Sequence, residues 1–137
     1  MKSILVIFLF FTIIITSCEN ENTPYRRASI ISKLDINKSI VIDSLSQEDL
    51  PNGDYEFTAI FIFSDTLADK IKIDALKNNY VEVPNITQNE VPLFMTRYCQ
   101  LDDKLLLFHE REKNFDGDAY VIVNLTTRRI IIYAVKT

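Results

Sequence analysis

Lys104-Leu-Leu-Leu-Phe-His-Glu-Arg-Glu112, Ala119-Tyr-Val-Ile-Val-Asn124 and Arg129-Ile-Ile-Ile-Tyr-Ala-Val135 are three short runs rich in aliphatic and aromatic residues. Such runs, bounded by turn residues, read as β-strands. Asp116-Gly117 and Thr126-Thr127 stand between them as turns. Three consecutive strands with connections this short form an antiparallel meander. Upstream, Pro51-Asn52-Gly53-Asp54 is a turn signal, because Gly and Asn tolerate positive φ. Tyr55 to Phe63 follows, and its second half is apolar at every position. That pattern predicts an interior strand covered on both faces.

Between these blocks the period changes. Leu67, Ala68, Ile71, Ala75 and Leu76 share one helical face, which predicts a helix from Thr66 to Asn78. Thr66 with Asp69 would cap its start, and Asn78-Asn79 its end. Tyr80 to Pro84 reads as a short extended piece. In the stretch 85–103, Pro92 forbids a continuous helix, and Leu93 to Leu101 reads as a helical turn or irregular segment. Between Ser29 and Ser44, Leu34, Ile36, Ile40 and Ile42 fall on alternate positions, which predicts two short strands turning at Asn37-Lys38. The sum is one α+β domain over residues 27–137. It has an antiparallel sheet of about five to six strands, the C-terminal meander within it, and one main helix packed on it.

The N-terminus has a different composition. Lys2 precedes a run from Ile4 to Ile15 broken only by Thr12. About a dozen apolar residues are too few to cross a bilayer, which needs roughly 20. A charged start, a short apolar run and small residues at Thr16 and Ser17 describe a secretory signal over residues 1–17. Ile15-Thr16-Ser17-Cys18 resembles the lipobox of bacterial lipoproteins at all four positions. The resemblance implies cleavage before Cys18, a diacylglyceryl group on its sulfur and acylation of the new amine. Two or three chains hold a soluble body on a membrane, where one does so only marginally. Residues 18–26 read as a lipidated tether, since Glu19 to Pro24 contains no hydrophobic residue. In the same family an Asp after the cysteine favours the inner membrane. Glu19 stands there, which points to an extracytoplasmic domain on the outer membrane where the cell has one. Once Cys18 is lipidated, Cys99 has no partner for an internal disulfide, and it reads as a buried small hydrophobe.

The mature part keeps fourteen basic residues against nineteen acids, a balance of −5. That argues against a general nucleic-acid binder, which needs a basic surface. His109 is the single histidine, so metal sites built on several histidines are excluded. On a strand, Glu110 and Glu112 point away from the His109 face, which argues against an adjacent His-Glu pair. Asn114 to Asp118 offers three side-chain oxygens but no closing Glu for a calcium loop, and hairpin chemistry accounts for it. Asp102-Asp103 supplies further carboxylates near a turn. Two glycines cannot build a phosphate-cradling loop, and no nucleophile-elbow motif is present. Arg26-Arg27 and Arg128-Arg129 read as solvated pairs. No catalytic, metal or cofactor residue is assigned, and Cys18 is the one assigned site.

The mature chain also has a loose likeness to a group of small bacterial lipoprotein domains. It is carried by Gly53-Asp54, Leu67 to Ile71, Tyr80 with Val83-Pro84, Asn114 to Val123, and Arg129 to Thr137. This chain has Tyr80 where that group has a Trp before Val-Pro. The resemblance supports the fold and implies no activity. The leading expectation is therefore a non-enzymatic binding module of the cell envelope. One form of it is an immunity-type lipoprotein that neutralises a toxin through a salt-sensitive complex with a cationic partner. An accessory subunit of an envelope complex would show an open sheet edge or an apolar patch. A small envelope hydrolase would show a cleft holding His109 or two facing carboxylates.

Overall fold

The computed structural model describes residues 23–87, 90–112 and 117–136. Six strands, β1 (Val41–Asp49), β2 (Tyr55–Ile62), β3 (Val81–Val83), β4 (Leu105–Glu112), β5 (Gly117–Asn124) and β6 (Arg129–Lys136), form one sheet in the order β1-β2-β6-β5-β4-β3. Every pairing is antiparallel. Among the described residues three helices accompany it: α1 (Pro24–Ser32), α2 (Asp65–Lys77) and the single turn α3 (Leu93–Thr96). The protein is therefore an α+β fold with a C-terminal meander and one main helix, α2.

Period-2 alternation in the strands divides the core in two. Phe57, Ala59 and Phe61 of β2, Leu106 and Phe108 of β4, Val121 and Val123 of β5, and Ile130 and Ile132 of β6 face one way. There they meet Ala28 of α1, and Ile71 and Ala75 of α2. Ile60, Leu105, Ile122 and Ile131 face the other way and are covered by Ile86, Val91 and Met95. The second half of β2 thus feeds both layers, as its unbroken apolar run implies.

Local chemistry sets the turns. Gly53 has φ +87 in the β1–β2 hairpin, and nothing lies within 4 Å of where a Cβ would stand. Glycine is required there by the backbone, not by crowding. α2 begins one residue earlier than predicted, after Ser64, whose hydroxyl meets that of Thr66 at 2.8 Å without bonding a backbone N–H of the helix. The Thr66-Asp69 cap is not used. Asp65 instead places a carboxylate on the first turn, where the helix dipole favours it, and pairs with Arg128 at 2.7 Å. Asn79 takes the left-handed conformation, φ 65, past the end of α2. Leu76 lies outside the buried stripe and is 44% exposed. The small Ala75 is fully buried in the same core cluster.

The predicted strands within 29–44 are corrected. Ser29 to Ser32 belong to α1, which Thr23 caps by accepting from the Arg26 N–H at 3.3 Å and which Lys33 closes with φ 59. Helix α1 thus begins at Pro24, within the segment read as tether. Leu34, Ile36 and Ile40 are buried, but not on a strand, and β1 begins only at Val41. The Ser29 hydroxyl accepts from the Ile36 N–H at 3.0 Å and donates to its carbonyl at 2.9 Å. The Ser32 hydroxyl accepts from the Leu34 N–H at 3.2 Å. Side-chain hydroxyls thus supply partners that a neighbouring strand would otherwise provide.

In the meander, Gly117 is the first residue of β5 and pairs with Glu112. The rest of the Asp116-Gly117 turn lies outside the described residues. The Thr126-Thr127 turn is closed by Asn124, whose side-chain oxygen accepts from both of their N–H groups at 3.1 and 3.0 Å.

Candidate binding face

The segment that covers the second layer does not reach across the whole sheet. Its Phe94 ring meets Tyr133 edge-on at 5.4 Å. Next to it, the same face carries side chains that are half-buried or exposed among the described residues. The strand registers align Ser46, Thr58, Tyr133, Tyr120 and His109 in one row across β1, β2, β6, β5 and β4. His109 and Tyr120 stack at 4.2 Å with their planes 6° apart. Tyr120 and Tyr133 are half-buried, and His109 and Ser46 are exposed. A second row lies beside the first: Glu48, Glu56, Val135, Asp118 and Arg111.

Three carboxylates and one guanidinium therefore border an aromatic strip. Burial pushes the Tyr133 hydroxyl above its ordinary range, and Glu56 and then Tyr120 push it further. Burial does the same to Tyr120, with Asp118 adding to the shift and Arg111 opposing it. Both phenols stay protonated at neutral pH, so they offer ring faces and O–H donors rather than nucleophiles. Aromatic faces next to carboxylates attract a cation by the ring quadrupole and by charge together.

The residues singled out in the sequence are dispersed. Cys18 and the whole signal segment lie outside the described residues. So do Asn114, Phe115 and Asp116 of the calcium-like stretch. Its last member, Asp118, meets Nε2 of His109 at 3.1 Å. Glu110 points to the opposite face and pairs with Lys33 at 2.8 Å, as strand alternation requires. Asp103 is buried and accepts from the Asn124 amide at 2.6 Å, a structural bond. Of the arginine pairs, Arg26 and Arg128 are exposed as expected, while Arg27 and Arg129 are half-buried; Arg27 binds Asp49 at 2.8 Å and Arg128 binds Asp65. Cys99 is half-buried rather than fully buried. Desolvation and then Asp103 push its thiol up to about 11, which makes it a poor nucleophile at neutral pH.

Sequence reading missed Tyr120, Tyr133 and Glu56 as a group. Each tyrosine is visible as the single hydroxylated ring in an aliphatic strand, but only the register brings them together. A groove of about 520 Å³ lies at the Lys104 end of the sheet. Its Lys72 and Glu82 pair with each other at 3.4 Å, and its Asp103 is held by Asn124. Among the described residues no three His, Cys, Asp or Glu side chains gather as a metal site, and no helix is long and apolar enough to cross a membrane. No family model, curated protein or solved structure matches this chain.

Proposed function

We propose that this chain is a lipid-anchored, non-enzymatic binding module of the cell envelope that receives a cationic protein surface on its open sheet face. The observation that carries the binding reading is the partly exposed aromatic row of Tyr133, Tyr120 and His109 beside Glu48, Glu56 and Asp118. A row of rings is costly to leave wet unless a partner covers it. The carboxylates choose the sign of that partner. An immunity-type lipoprotein, which sequesters a basic toxin domain, is the specific form this takes. The long edge of β1, unpaired on its outer side among the described residues, favours a second reading, an accessory subunit of an envelope complex, which would be recovered in fixed stoichiometry with its assembly.

The anchor and the face are tested separately. Cys18→Ala is expected to move the chain out of the membrane fraction or leave an uncut precursor. A processed Cys18→Ala chain that stays on the membrane rules the anchor out. For the face, the partner captured from intact envelopes by the wild-type chain is compared with that captured by Tyr120→Ala/Tyr133→Ala. The double variant is expected to weaken binding by at least about tenfold, since each aromatic or cation–π contact contributes roughly 0.5–2 kcal/mol. Wild-type binding is also expected to fall with added salt. Equal, salt-insensitive capture by both chains refutes the assignment of the face.

A further inference from the structure

We propose that β1 accepts an extended, lysine- or arginine-bearing segment of a partner protein as a seventh strand of the sheet. The proposal rests on the protein-binding reading above, but on a different surface. β1 is nine residues long, and among the described residues it pairs only with β2. All of it except Ile42 is exposed, including Leu45 at 40%. The opposite edge of the sheet, β3, has three residues and offers too short a ladder. Asp43 is the extra residue of a bulge between Ile42 and Ser44, so the regular part of the edge runs from Ser44 to Asp49.

Charge selects the occupant. β1 carries Asp43, Glu48 and Asp49 and no base. Asp49 is already bound by Arg27. Glu48 stands directly opposite Glu56 on β2, and like charges so placed oppose pairing. A cation on a strand added at the edge, opposite Glu48, would relieve that repulsion. A second copy of this chain does not supply that cation, because β1 itself carries no base. Leu45 lies on the opposite face from Glu48, three residues away. The fitting segment thus has a basic residue and an apolar residue three positions apart, one for each face. Main-chain hydrogen bonds supply affinity and these two side chains supply selection.

The test uses the full mature chain in detergent micelles and a ten-residue synthetic peptide alternating lysine with valine and threonine. Its counterpart carries glutamate at every lysine. Amide hydrogen exchange is read by NMR. The lysine peptide is expected to protect alternate amides between Ser44 and Asp49 and to bind at least tenfold more tightly than the glutamate peptide. Glu48→Lys is expected to abolish that preference, and Tyr120→Ala/Tyr133→Ala to leave the protection intact. The proposal is overturned if the lysine peptide fails to bind, or binds without protecting β1. It is also overturned if both peptides bind alike, or if the chain itself dimerises through β1. Protection of β1 that persists in the tyrosine double variant separates this edge from the aromatic face. A peptide effect confined to Tyr120 and Tyr133 supports the face and refutes the edge.

Discussion

Asn124→Ala is expected to lower the unfolding free energy by about 2–4 kcal/mol, the loss typical of breaking a buried network that includes a carboxylate. Asn124 is fully buried at the end of β5. Its amide donates to the Asp103 carboxylate at 2.6 Å and to the Tyr98 carbonyl at 2.9 Å. Its oxygen accepts from the Thr126 and Thr127 N–H groups. All four hydrogen-bonding positions of the side chain are therefore used. The Asp103 carboxylate also accepts from the Gln100 N–H at 2.8 Å, so one side chain joins the covering segment to the tip of the β5–β6 hairpin. Alanine leaves a buried carboxylate and two turn N–H groups short of partners. Asn124→Asp keeps the shape but sets two carboxylates against each other. Its deficit is expected to shrink as pH falls and one of them takes a proton. Urea unfolding at neutral and mildly acid pH reads both effects. A cost below about 1 kcal/mol for alanine would place the network's contribution within the range of an ordinary neutral hydrogen bond and sink this account.

Phe61→Ala is expected to cost about 3–5 kcal/mol, the usual range for removing a fully buried aromatic ring. Phe61 lies between Ile42 and Ile130 in the register and carries the Tyr25 ring of α1 at 5.9 Å. Its loss opens a cavity under the helix that the sequence pattern did not predict. Beyond the global destabilisation, the amides of α1 should exchange faster than those of α2, because Tyr25 is the ring that seats α1 on the sheet. Uniform exchange across both helices would show that α1 is held by its other contacts, Ala28 and Ile31.

The strands and main helix are legible in the sequence because each carries its own period and bounding residues. Tyr55 to Phe63, the meander and the 67–75 stripe fall close to their predicted positions. The stretch 29–44 is misleading because Leu34, Ile36 and Ile40 alternate like a strand. They are buried instead by a helix–loop whose N–H groups are satisfied by Ser29 and Ser32. Nothing in the alternation shows where a hydroxyl will be. The candidate face was illegible for a related reason. Tyr120 and Tyr133 are thirteen residues apart in sequence, and Glu56 is farther still.

Composition, periodicity and turn chemistry were enough for the class of fold and the helix on one side of the sheet, and the resemblance to a lipobox implies the lipid address at Cys18. These are local properties, set by which side chain follows which. The row of rings, the acidic row beside it and the bare edge of β1 came only with tertiary pairing. Register places residues from five strands side by side, and the packing of Phe94 on Tyr133 bounds the row. Both depend on contacts between residues far apart in the chain.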